Sequence, residues 1–289
     1  MKTSKIIQKY LKILTLVFLL FTNLFIWSSV FAQESQNKLR VAFFDVEQGD
    51  SIFIETLSGN QILIDGGADK KVLRELSKIM PFHDRSIDIV IITHPDKDHI
   101  GGLPSVFENY DVSAFVEPGV EADTEIYNVL KNLVKEEKSK IIIARKGMIF
   151  NLDENIVLKI LFPDRDVSGM DTNDASIIAQ LVYGNNEFLF TGDSPQKIEE
   201  YLVSINGEKL SSDVLKIGHH GSKTSSSESF IGFVSPEYAI ISAGLNNKYG
   251  HPHKEVIDLL NEFGVKILKT SEIGTIIFET DGEILNLVQ

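Results

Sequence analysis

The decapeptide THPDKDHIGG at residues 93–102 places His94, Asp96, Asp98 and His99 within six positions, where the apolar run IDIVIITH ends and a glycine pair begins. One turn can aim all four side chains inward. A single zinc ion could not use the whole group and keep an open reaction position, so the spacing points to two ions. Gly101 and Gly102 let the backbone turn close behind the ligands before the next helix. The competing reading of the decapeptide alone is an acidic surface turn with incidental histidines, and the later motifs argue against it.

Asp193 closes EFLFTGD, immediately after another apolar run. Its two oxygens offer several lone-pair directions and could bridge two metals, although capping the helix of SPQKIEE is a common structural use of such an aspartate. LKIGHHGS at residues 215–222 delivers a histidine pair into a glycine turn. His219 is the preferred direct ligand, and His220 is expected near the centre, either ligating or acting on substrate. Lys223 could hold an anion, while Ser222, Ser225, Ser226 and Ser227 read mainly as an exposed loop.

The chain has 289 residues, 43% of them hydrophobic, which suits a globular protein with a substantial core. It contains no cysteine. Disulfides, thiolate metal sites and cysteine catalysis are thereby excluded, leaving histidine nitrogen and carboxylate oxygen as ligands. Lys2, Lys5, Lys9 and Lys12 precede an uncharged stretch from Ile13 to Ala32. Residues 1–32 therefore read as a signal peptide cleaved near Ala32, or as an N-terminal anchor retained on the outer face of the cytoplasmic membrane. Residues 33–38 read as a linker and 39–289 as the functional domain. Without the four leader lysines, 24 basic side chains face 41 acidic ones, a formal charge of −17. No extensive basic surface for nucleic acid is evident, and a polyanion would need a local basic path or the metals themselves.

KLRVAFFDV, DSIFIETL, NQILIDGG and IDIVIITH read as strands, and VLRELSKIM and DTEIYNVLKNLVKEEK as helices. The second half reads as further strands, KIIIARKG, IVLKILFP, SIIAQLVYG, EFLFTGD and DVLKIG among them, with helices at PQKIEEYLVS, SESFIGFV and HKEVIDLLNEFG. Two similar αβ halves packed face to face fit this order, with polar residues at strand ends converging on one site.

These motifs, in this order, resemble the metallo-beta-lactamase hydrolase superfamily, and more closely the soluble hydrolase domain of ComEC-type competence proteins. FFDVEQGDSIFIE, QILIDGG, THPDKDHIGG, NDASIIAQLVYGNNEFLFTGD, LKIGHHGSKTSS and NNKYGHP carry the resemblance over roughly residues 39–282. It implies an α/β fold, a four-layer αββα sandwich, with a dinuclear site held by His94, Asp96, Asp98, His99, Asp193 and His219. Many superfamily members place a metal histidine between the signature loop and the bridging aspartate, whereas this chain has none between His99 and His219. Asn173 of TNDASII stands there, able to organise water, contact a metal or brace a turn. Glu47 occupies a position where the closer family usually has glycine. The match at Asp50 makes it a contributor near the site, Asp65 could hold a ligand histidine in one tautomer, and Asn246 and Tyr249 accompany His251 in a segment expected to face the pocket.

The expected cofactors are two divalent ions, zinc first and manganese as the alternative because the ligand set is oxygen-rich. Asp98, His220 and His251 are the catalytic candidates. The favoured activity is an extracytoplasmic phosphodiesterase or nuclease acting on DNA or another phosphodiester. The alternatives are a hydrolase of a cell-envelope phosphoester, nucleotide, lactone or lactam, and a metal-dependent binding protein. Oligomeric state is unspecified by the sequence.

Overall fold

The computed structural model describes residues 10–25 and 38–288. The chain divides into two units, residues 1–38 and 39–289. In the first, residues 10–25 are helical, and Leu14, Phe18, Phe21 and Phe25 are exposed. No helix among the described residues is long and apolar enough to cross a membrane. The expected cleavage near Ala32 and nearly all of the linker at 33–38 lie outside the described residues.

The second unit runs β1 (Leu39–Phe43), β2 (Ile52–Glu55), β3 (Gln61–Ile64), β4 (Ser86–Ile91), β5 (Asp111–Glu117), β6 (Lys140–Ile143), β7 (Ile149–Asp153), β8 (Ile156–Phe162), β9 (Ile178–Tyr183), β10 (Asn186–Phe190), β11 (Val214–Lys216), β12 (Tyr238–Ile241), β13 (Lys266–Lys269), β14 (Ile276–Thr280) and β15 (Leu285–Leu287). One sheet has the order β15-β14-β1-β2-β3-β4-β5-β6, the other β13-β12-β11-β10-β9-β8-β7. The run from β3 to β6 is parallel, as is that from β10 to β13.

Strand side chains alternate between two faces, and here both faces are apolar. Val41, Phe43, Ile52, Ile54, Phe188 and Phe190 fill a core between the sheets. Ala42, Phe53 and Leu63, from alternate positions, pack with Val72, Leu76, Val106 and Leu130 from helices Lys71–Ile79, Leu103–Asn109 and Glu125–Glu137. Leu189 and Leu215 pack with Leu202, Ile231 and Leu260 from helices Gln196–Asn206, Glu228–Val234 and Lys254–Glu262. Three cores between four layers make an αββα sandwich. The sequence reading missed β7, whose burial alternates weakly and which is an outer strand paired only with β8. Asn and Asp within IFNLD mask its period.

The parallel strands all discharge their loops at their carboxyl ends. Asp65 follows β3, His94 follows β4, Asp193 follows β10, His219 and His220 follow β11, and the loop carrying Tyr249 and His251 follows β12. Both sheets thus feed one site.

Candidate metal centre

Asp193, 3% exposed, lies among four histidines. Its Oδ1 is 3.2 Å from His99 Nε2, and its Oδ2 is 3.5 Å from His220 Nε2, 3.7 Å from His219 Nε2 and 3.9 Å from His94 Nε2. Asp98 Oδ2 lies 3.3 Å from His220 Nε2, and Asp96 Oδ2 lies 3.8 Å from His94 Nε2. Among the described residues, Asp50, His99, Asp193 and His220 form one buried group whose ligand atoms all lie within 4.8 Å of one another.

Hydrogen bonds outside the centre orient the rings. His99 Nδ1 is 2.8 Å from Asp65 Oδ2, and the Thr93 hydroxyl donates to the same oxygen at 2.7 Å. With its proton so committed, the hydroxyl can accept from His94 Nδ1 at 3.0 Å. One buried carboxylate therefore fixes two rings with Nε2 facing Asp193. His220 Nδ1 is 2.9 Å from the Ser242 carbonyl, which turns its Nε2 the same way. The Nε2 atoms of His94, His99 and His220 and Oδ1 of Asp193 are buried without a protein hydrogen-bond partner. Such convergent orphaned donors fit a cation, because burial without a partner is costly.

The charges of this cluster are interlocked. Burial opposes the His220 cation, but Asp193 and Asp50 outweigh it and raise its pKa to about 9. His99 is likewise raised, against burial, by Asp193 and Asp65. Burial raises the Asp193 carboxyl, yet His220 and His99 bring it well below the usual range. His94 is lowered to about 4 by burial and by His99. Metal ligation needs the histidines neutral, so binding of a cation here would compete with their protonation.

The geometry orders the adjacent histidines differently from the sequence expectation. His220 is buried in the tight group, whereas the His219 side chain is 28% exposed, with Nδ1 3.1 Å from Thr224 Oγ1. Both lie in left-handed backbone, at φ 47° and 55°, and the two successive rings part, His220 inward and His219 toward solvent. Asp50 is more central than expected, but the Lys216 ammonium, itself fully buried, donates to its Oδ2 at 2.7 Å. Only Asp50 Oδ1 faces the group, 3.3 Å from His220 Nδ1. Asp50 thus suits anchoring the His220 ring better than ligating. Lys216 went unnoticed in the sequence because a lysine in a three-residue strand carries no period.

Asn173 begins a 3-10 turn, with its Oδ1 buried and unpartnered. His251 lies 5.5 Å, ring to ring, from His219 and 6.3 Å from His220, at the rim. Lys223 and Asn246 are exposed. The serines contradict the exposed-loop expectation: Ser222, Ser225, Ser226 and Ser227 are buried. Ser225 Oγ donates to the Ser194 carbonyl, and Ser227 caps the following helix. Gly101 and Gly102 have ordinary φ near −60° and −86°. Their need is close approach, since a Cβ on Gly101 would lie 2.1 Å from the Ala68 carbonyl oxygen. Glu47, at φ 63°, sits in backbone that favours glycine, which explains the family's usual residue there.

Glu199, also missed, is a buried carboxylate that accepts from the backbone N–H groups of Ser226 and Ser227, each at 2.8 Å. It ties down the loop that follows the histidine pair. Burial pushes its pKa up to about 7 against those two donors. Glu199→Ala should cost about 2 kcal/mol by orphaning both N–H groups. Because the folded pKa exceeds the unfolded one, the loss should be largest below pH 4.5 and shrink as pH rises through about 7, as urea denaturation across that range would show. A pH-independent loss would contradict this account of Glu199.

The profile of the metallo-beta-lactamase superfamily matches residues 44–244. The chain belongs to the metallo-beta-lactamase superfamily. Within it, the chain is 30% identical over 254 residues to ComE operon protein 3 of Bacillus subtilis (strain 168), covering 82% of this chain and 32% of that protein. It is 31% identical to competence protein ComA of Neisseria gonorrhoeae, with 84% and 32% covered. The chain thus spans about a third of the length of these curated relatives. Igni18, a metallo hydrolase from Ignicoccus hospitalis, shares the superfamily fold at a TM-score of 0.55 and 17% identity, covering 84% of this chain and 99% of that one.

Proposed function

We propose that this superfamily member is an extracytoplasmic, metal-dependent phosphodiesterase of nuclease type. The observation that carries the reading is Asp193, whose two oxygens face different histidines in a buried ring. Such a carboxylate is suited to bridging two cations, held together with His94, Asp96, Asp98, His99, His219 and His220. Divalent cations held by these residues would supply a water of lowered pKa and stabilise negative charge as it develops.

The chain's own residues supply the rest. Asp65 and the Ser242 carbonyl hold the rings in one tautomer. His251, lowered to about 4 by burial and by His220 and His219, stands at the rim as a hydrogen-bond acceptor. The name of one relative, competence protein ComA, supports a nucleic-acid phosphodiester over a lactam or lactone. Zinc suits the histidines and manganese the carboxylates, and metal content after recovery from the native compartment distinguishes them. The Lys-rich start and the uncharged segment at 13–32 support export, which N-terminal sequencing of the recovered protein tests.

The decisive assay offers the purified chain a small phosphate bis-ester, single-stranded DNA and duplex DNA, with and without chelator. Chelator-sensitive hydrolysis of at least one is expected. No turnover on any, beside rapid cleavage of a lactone or lactam, would move the chain to another hydrolase class. Tight ligand binding without turnover in saturating metal would make it a binding protein.

A further inference from the structure

The loop after β12 carries an aromatic residue outward from the centre. Asn247 shapes this loop: its Oδ1 accepts from the N–H groups of Tyr249 and His251 at 3.1 and 2.9 Å, and its Nδ2 donates to the carbonyls of Gly244 and His251 at 2.8 and 2.6 Å. The Tyr249 ring is thereby stacked on His251, 5.6 Å between centroids at 21°, and His251 is in turn the ring next to His219 and His220. Tyr249 nevertheless remains 51% exposed, and Leu245, on the same loop, 74% exposed. An exposed aromatic ring stacked on the rim histidine offers a flat face to a flat partner.

The charges nearby narrow that partner. The chain carries a formal charge of −13, yet Lys97, between Asp96 and Asp98, and Lys223, beside the histidine pair, are exposed and form no ion pair among the described residues. Lys248 places its ammonium 4.9 Å from the centroid of the Tyr249 ring. A cation over an exposed aromatic ring, with further unpaired lysines on the loops of the centre, is a composition that suits single-stranded nucleic acid, the ring taking a base and the ammonium a phosphate.

We infer that Tyr249 is a base-stacking residue, receiving the unpaired nucleobase of a single strand whose neighbouring phosphate lies at the Asp193 centre, an inference that rests on the phosphodiesterase reading. The incoming base takes the ring face now covered by Lys248 and releases that ammonium to a backbone phosphate. Stacking on a tyrosine without base-edge hydrogen bonds makes the recognition tolerant of sequence, and a base paired within a duplex cannot reach the ring.

The test is a fluorescence anisotropy titration of the full, metal-loaded chain with labelled phosphorothioate strands, which resist cleavage: oligothymidylate, an abasic strand of equal length and a duplex. Wild type should bind oligothymidylate about tenfold more tightly than the abasic strand, and more tightly than the duplex. Tyr249→Ala should remove that preference, and Tyr249→Phe should retain it. Equal binding of the thymine and abasic strands by wild type, an undiminished preference in Tyr249→Ala, or no strand binding at all overturns the inference. Turnover of a small bis-ester without base preference counts against stacking alone, whereas base preference without turnover supports stacking and counts against the hydrolytic reading.

Discussion

Asp193→Asn is expected to lower metal-dependent phosphodiester turnover by at least about 10²-fold, the scale for losing part of a preorganised electrostatic site. The substitution keeps the size of the side chain and removes a full negative charge from a buried position that four histidines face. An amide offers one acceptor oxygen where the carboxylate offers two, so contact with two cations at once is lost. The same carboxylate holds up the pKa of His99 and His220, so the variant should also lower both. Packing around residue 193 is unchanged, and the folded fraction should largely survive. Turnover and bound metal should be compared at matched folded fractions. Near-normal turnover with a full complement of metal would sink the role assigned to Asp193.

Lys216→Met should destabilise the fold by about 3–5 kcal/mol, the cost of breaking a buried ion pair by removing one partner. Lys216 and Asp50 are 0% and 2% exposed, and the ammonium donates to Asp50 Oδ2 and to the Ile217 carbonyl. Burial alone would raise the Asp50 carboxyl, and Lys216, with His220, is what brings it below its ordinary value. Methionine fills the space of the stem but leaves an uncompensated carboxylate against the metal centre. The double variant Lys216→Met/Asp50→Asn removes both charges and should recover at least half of the lost stability, giving a favourable coupling in a double-mutant cycle. Denaturant midpoints of the four proteins measure it. A Lys216→Met loss below about 1 kcal/mol, or strictly additive effects, would show that the pair is not coupled as its geometry indicates.

Much of the layered architecture was legible because its causes are local and periodic. Runs such as IDIVIITH and EFLFTGD are apolar on both faces, which only a strand buried between layers tolerates. The helix at Glu125–Glu137 begins at Thr124, whose side chain accepts from Tyr127 N, a cap visible in DTEIY. What escaped is non-local. β14 and β15 follow the second half in sequence yet return to the first sheet, with Val41 opposite Phe278. Nothing in a strand's own period names its partner.

The site divides in the same way. Residue type and spacing by themselves marked His94, Asp96, Asp98, His99, Asp193 and the histidine pair, because ligand chemistry demands nitrogen and carboxylate oxygen at the mouths of strands. Only the tertiary structure decided which atoms converge. It set His220 inside and His219 toward solvent through two consecutive left-handed residues, and joined Asp65 to His99 across 34 positions. It also made Lys216 the counter-charge of Asp50, and buried serines that their polarity had suggested were exposed. Burial and hydrogen-bond partnership are properties of the neighbours a side chain acquires, and those neighbours exist only once both sheets have closed over the same edge.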